Sequence, residues 1–116
     1  MALTKIALSG STYGASVVVA ATAIGSGTTV HAAQATTTAG LGDELVLYAC
    51  NTDSASHVLT LGWGGTATGD TMTFTIAAGT TVQVCAGLLI MNSLVVKAAA
   101  DSANKINIFG FCIRSA

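Results

Sequence analysis

The chain has very few charged side chains and no proline. Of its 116 residues, four are basic and five are acidic, and the formal net charge is -1. So few basic residues cannot form the positive surface that nucleic-acid binding requires, and we expect no nucleic-acid partner. Low charge and a net charge near zero favour association over isolation, which predicts a homo-oligomer or a larger assembly.

Aromatic residues and closely spaced cysteines are also scarce. Aromatics make up 5% of the chain, and Cys50, Cys85 and Cys112 form no C-x-x-C pair. This spacing excludes a disulfide-rich scaffold and a zinc site of the usual kind, so we expect buried free thiols. Apolar residues make up 52% of the chain, which excludes intrinsic disorder.

Long apolar runs are absent as well. No charged residue occurs between Lys5 and Asp43, yet no window reaches the ~18 continuous apolar residues of a spanning helix. Glycine and serine interrupt residues 10–16, where a signal peptide would need continuous apolarity. We therefore expect neither a membrane partner nor a signal peptide.

The pattern that is present is a two-residue alternation. In residues 71–76, Met72, Phe74 and Ile76 point one way and threonines point the other, which is the period of a β-strand. Short strands separated by glycine-containing turns predict an all-β fold, with residues 1–116 forming a single antiparallel β-sandwich, Ig-like or jelly-roll-like. Helical signals are scarce, and the alanines at 98–100 predict at most a short helical turn.

Two segments depart from simple alternation, because residues 44–50 and 108–113 are apolar on both faces. A strand of this kind is typically buried on both faces. We expect these strands either to lie centrally in a two-layer fold or to be covered by a partner.

No catalytic constellation can be assembled. His31 and His57 have no adjacent carboxylate in the sequence to orient them, as nucleophilic catalysis would require. The acidic side chains lie near predicted turns, so we expect solvated loop charges, with calcium binding as the main exception. The sequence therefore predicts no enzyme, no metal and no cofactor. The acids in question are Asp43, Glu44, Asp53, Asp70 and Asp101.

Trp63 is the sole tryptophan and precedes Gly64 and Gly65. With so few aromatic residues, we expect Trp63 to pack in the core. The alternative is an exposed ring that stacks on a sugar or a base.

Four short stretches carry a family resemblance: residues 1–5 (MALTK), 47–51 (LYACN), 59–65 (LTLGWGG) and 108–111 (IFGF). Together they resemble small virion proteins of tailed bacteriophages, closest in type to the head decoration, or cement, protein. The resemblance implies an all-β protein on the outer surface of the head. Its implied partners are the major capsid protein and further copies of itself, commonly as a trimer.

The two chain ends are the candidate contact segments. We expect them to be free to reach a neighbour, and the C-terminal run is apolar on both faces. Alternative functions are a tail or fibre-base virion protein and a host-surface carbohydrate-binding module that uses Trp63. The predicted contact residues are Ala2, Leu3, Thr4, Lys5 and Ile6 together with Phe109, Phe111, Ile113 and Arg114.

Overall fold

A computed structural model describes residues 2–116, and these fold as an all-β domain. Two single-turn 3-10 segments, Ile24–Ser26 and Thr68–Asp70, are the helical parts of this range. The strands are β1 (Leu3–Ala7), β2 (Val17–Val18), β3 (Thr28–Ala32), β4 (Gly42–Asn51), β5 (His57–Trp63), β6 (Thr71–Ile76), β7 (Thr81–Ile90), β8 (Val95–Ala100) and β9 (Ile106–Ser115).

The strands form two antiparallel sheets, which confirms the predicted β-sandwich. The larger sheet has the order β1-β9-β4-β7, and the smaller sheet has the order β3-β8-β5-β6. Strand β4 pairs with β9 along its whole length, so β1 and β2 share the other edge of β9 and act as one interrupted strand.

The strand pairs are nested along the chain. The first strand (β1 with β2) pairs with β9, β3 pairs with β8, β4 pairs with β7, and β5 pairs with β6. The chain is thus one long hairpin rolled into two layers. Of the two predicted topologies this is the jelly roll.

The core between the sheets is aliphatic. Leu45 and Leu47 of β4 face Leu59 and Leu61 of β5, and all four side chains are fully buried. Each buried apolar side chain contributes roughly 1.5–3 kcal/mol by leaving water. The alternation seen in the sequence therefore selects which face of each strand packs inward.

One sequence expectation is wrong. Ala98 and Ala100 lie in β8, between β3 and β5, and are buried; ladder hydrogen bonds on both sides override the helix propensity of alanine.

Strand β4 has the central position that was one of its two expected alternatives, since it lies between β9 and β7. Its outward face is only partly covered within this chain, because Val46 and Cys50 are half-buried and Tyr48 is 39% exposed.

The close contact between β9 and β4 gives a stability prediction. A Cβ at Gly110 would overlap the main-chain carbonyl oxygen of Val46, which cannot move without breaking the sheet. Gly110→Ala should therefore lower the free energy of unfolding by about 1–3 kcal/mol. Urea unfolding measures the loss. Gly25→Ala is the control, since nothing lies within 4 Å of a Cβ there; equal stability of both variants would contradict the packing.

Candidate functional site

The side of the larger sheet that faces away from the core is unusually apolar. Outer faces of sandwich strands are ordinarily polar, but Phe109 is 44% exposed and Leu3 is 68% exposed. A contiguous exposed apolar patch typically marks an interaction surface. We call this surface the outer face and define it by Leu3, Lys5, Ala7, Val18, Glu44, Val46, Tyr48, Cys50, Phe109, Phe111 and Ile113.

The outer face has two charged residues, Lys5 and Glu44. Both pair in register with Ile113, so they flank β9 on opposite sides. The Nζ of Lys5 lies 4.9 Å from the centroid of the Phe111 ring, a cation–π distance. The two charges balance, and register also places Asn107 and Ser115 of β9 and Thr81 and Gln83 of β7 on this side of the sheet. The part formed by β1, β9 and β4 is mainly apolar.

The structure brings most of the predicted contact residues together on this face. Strand β1 pairs with the end of β9, which places Leu3 and Lys5 beside Phe111 and Ile113. The chain ends are not the free arms we expected, because the N–H of Ala2 donates to the carbonyl of Ala116 and the reverse bond also forms. Of the remaining predicted contacts, Ala2 and Thr4 are exposed, and Ile6 packs against the core.

Arg114 departs from this group because its side chain is bound to a buried carboxylate. Its Nε and one terminal nitrogen donate to the two oxygens of Asp43 at 2.9 and 2.8 Å. The Asp43 side chain is 0% exposed, so the expectation of a solvated loop charge was wrong. Gln34 donates from Nε2 to Asp43 Oδ1 (3.0 Å) and to the carbonyl of Ser115 (2.8 Å). Arg114 is thus bound within the chain by this ion pair, with 32% of its side chain still exposed.

His31 joins the same cluster from the smaller sheet, contrary to the expectation that it lacks a carboxylate. The backbone N–H of Ser9 donates to His31 Nδ1 at 3.0 Å, so that nitrogen is an acceptor. His31 Nε2 then carries the proton and donates to Asp43 Oδ2 at 2.7 Å. This pair of bonds fixes the ring tautomer and its orientation.

The cluster resembles a metal site in spacing but not in chemistry. Ligand atoms of His31, Asp43 and Cys112 all lie within 4.8 Å of one another. Burial, with the charge of Asp43, raises the pKa of the Cys112 thiol to about 12, so the thiol of the metal-free chain is protonated at neutral pH and a metal would have to displace its proton. Both Asp43 oxygens are held by Arg114, and His31 Nε2 carries a proton. These features favour an ion-pair network over a metal centre.

His57 forms a second carboxylate cluster that the sequence did not predict. Its Nε2 lies 2.7 Å from Asp53 Oδ2, and its Nδ1 lies 2.8 Å from Asp101 Oδ1. The hydrogen bond with Asp53 does most to raise the pKa of His57, burial opposes it, and Asp101 adds to the increase. Since both ring nitrogens are engaged, the imidazole holds the start of β5 to two loops and has no free nitrogen to act as a base.

Trp63 borders a second apolar surface. Its ring is half-buried and packs against the core, and its Nε1–H donates to the carbonyl of Leu89 at 3.0 Å. It also lines an open groove of about 370 Å³ with Asp70, Met72 and Leu88. We call this surface the Trp63 groove. It lies where the end of β7 meets β5 and β6, so both sheets contribute to it.

The cysteines are free thiols. Cys85 and Cys112 are buried as expected, whereas Cys50 is half-buried on the outer face. Within residues 2–116, no helix has the length and apolarity needed to cross a membrane.

Comparison with protein families, with curated proteins and with solved structures finds no match to this chain.

The Asp43 cluster predicts a large stability effect. Asp43→Asn should lower the free energy of unfolding by about 3 kcal/mol, because removing one partner of a buried ion pair leaves the other charge uncompensated. Burial alone would raise the pKa of the Asp43 carboxyl, but hydrogen bonds from Arg114 and His31 outweigh it and hold that pKa well below its usual range. The wild-type chain should lose this stabilisation as the pH falls below about 4, and the variant should not.

Denaturant unfolding at neutral and acidic pH measures both effects. Asp70→Asn is the matched control, since Asp70 is exposed and outside the cluster. Equal stability of the Asp43 and Asp70 variants at neutral pH would show that the cluster contributes little.

The His57 cluster predicts a loss of stability on the alkaline side. A raised folded pKa means that the contribution of His57 is complete below about 6.5, its unfolded value, and is lost as the pH rises through the folded value. The thermal midpoint of the wild-type chain should fall over this interval, and His57→Gln should flatten the fall. Asp53→Asn should have the same effect, because it removes the main cause of the raised pKa. If the thermal midpoints of the three proteins change in parallel with pH, the hydrogen bonds of His57 to Asp53 and Asp101 do not stabilise the fold.

Proposed function

We propose that this chain is a non-enzymatic virion protein that decorates the outer surface of a tailed-bacteriophage head. It binds the assembled major capsid protein and neighbouring copies of itself, and it bridges adjacent capsomers. The observation that supports this proposal most is the outer face, an apolar surface that includes both terminal strands. An exposed apolar surface of this kind favours binding to another molecule over a monomeric state.

A bridging protein needs two contacts, and the chain has two apolar surfaces, which adjoin where Leu89 pairs in register with Glu44. The outer face belongs to the larger sheet alone, whereas the Trp63 groove is lined by both sheets. Leu88 and Leu89 at the groove are 44% and 57% exposed. One surface can meet a like copy while the other meets the shell.

Decoration requires binding chemistry and no bond making. A protein that binds the assembled lattice, and not the free subunits, stabilises the lattice by mass action. Many copies on one shell add weak contacts through multivalency. The two histidines suit this role, because their hydrogen bonds to Asp43, Asp53 and Asp101 hold loops and sheets together.

The fold is compatible with the proposal without deciding it. Jelly rolls include viral capsid domains and also lectins, and one fold hosts many functions. The two alternatives are a tail or fibre-base virion protein and a carbohydrate-binding module in which the Trp63 groove holds a sugar beside Asp70.

Binding to phage heads tests the proposal. The labelled chain should co-sediment with empty tailed-phage heads and appear on the head in electron micrographs. Phe109→Asp or Leu89→Asp should weaken this binding at least about tenfold, because each places a charge in an apolar contact. Val58→Asp is the matched control, since Val58 is 39% exposed on the smaller sheet.

Other outcomes would contradict the proposal. Label confined to tails would support the tail alternative. Glycan-array binding that Trp63→Ala abolishes, with no binding to heads, would support the carbohydrate-binding module.

A further inference from the structure

We propose that a second copy of this chain docks on the outer face, about a two-fold axis that runs along β9. This inference concerns the pure protein and goes beyond attachment to a phage head. It depends on the charge pattern of the outer face, on its apolar rows and on its size.

The charges are arranged so that two copies complement each other. Lys5 and Glu44 lie on either side of Ile113, and with neighbouring strands about 4.8 Å apart their backbones are about 10 Å apart. The two-fold axis is parallel to β9 and lies between the two outer faces. Rotation about it turns the second copy's outer face toward the first copy and places the β1 side of one copy over the β4 side of the other. It therefore places Lys5 above Glu44 of the second copy and Glu44 above Lys5 of the second copy.

The apolar rows match under the same rotation. Ala7 and Val46 flank Phe111, so Ala7 meets Val46 of the second copy while the two Phe111 rings meet near the axis. Val18 and Cys50 flank Asn107 and meet in the same way, so the two Asn107 amides lie opposite each other near the axis. No like charges face each other, and the rows of Phe111 and Ile113 bring apolar side chains together.

The area is that of a weak dimer. Strand β9 has ten residues, and a rotation about β9 superposes β1, β9 and β4 but leaves β7 without a counterpart, so the shared face measures roughly 34 by 14 Å, or about 500 Å² per copy. The two copies together would bury about 1,000 Å², the size of a weak or transient interface. Stacked sheets pack about 10 Å apart with their strand directions within about 30° of each other, and a two-fold axis parallel to β9 meets this condition because it sets the two β9 strands parallel.

The sheet edges are less suited to pairing than the face. At one edge β7 makes two register shifts against β4, and bulges of this kind protect an edge from further strands. At the other edge β1 has five residues and β2 has two, so no long continuous edge is offered. Face-to-face contact is therefore the association that the larger sheet permits.

Charge reversal tests both the partner and the axis. The mass of the full chain in solution, measured by sedimentation equilibrium, should approach twice 11.4 kDa. Lys5→Glu and Glu44→Lys should each raise the dimer dissociation constant about tenfold or more, because each creates two like-charge contacts across the axis. The double variant should recover to within about threefold of wild type, because both pairs become opposite again. Lys97→Glu is the matched control, a half-buried lysine of the smaller sheet.

Four outcomes would overturn the inference. A monomer at about 100 μM, or the trimer that the family resemblance implies, would exclude the two-fold pair. Single variants with unchanged mass, or a double variant that stays dissociated while its thermal midpoint equals that of wild type, would exclude the proposed axis. A dimer that fails to bind heads would leave this inference intact and refute the proposed function alone.

Discussion

A single buried carboxylate, Asp43, connects the two sheets, and the orientation of the strands around it depends on its hydrogen bonds. It belongs to β4, accepts hydrogen bonds from Arg114 of β9 and is bonded to His31 of β3 in the opposite sheet. A β-strand that slips by one residue exchanges its two faces. With Arg114 held inward, Ile113, Phe111 and Phe109 must point outward. The ion pair inside the sandwich thus determines which apolar side chains cover its outside.

The strands could be predicted from the sequence because their signal is local. The alternation of threonine with Met72, Phe74 and Ile76 appears in β6, and the same period marks the other long strands. The predicted helical turn at Ala98–Ala100 failed because pairing with two neighbouring strands, which the local sequence does not record, outweighs propensity.

The carboxylate clusters were missed because their members are distant in the sequence. His31 and Arg114 reach Asp43 from different strands, and Asp101 reaches His57 across the smaller sheet. A usable signal was nevertheless present. Asp43 is two and four residues from Leu45 and Leu47, which face inward, so it points to the same face of the strand. Arg114 is two residues from buried Cys112 and shares its face in the same way. Continuing the alternation by one step at each end would have placed opposite charges inside the sandwich.

The nested strand order has a consequence for how the chain is made. The first strand is completed by the last, since Leu3 pairs with Ser115. The ribosome makes β1 long before β9, so β1 has no partner strand until β9 has been made. Pairing between such remote segments closes the largest possible loop, and proteins dominated by such contacts fold in milliseconds to seconds. We therefore expect β1 and β9 to pair after the inner strand pairs, and the outer face to form late in folding.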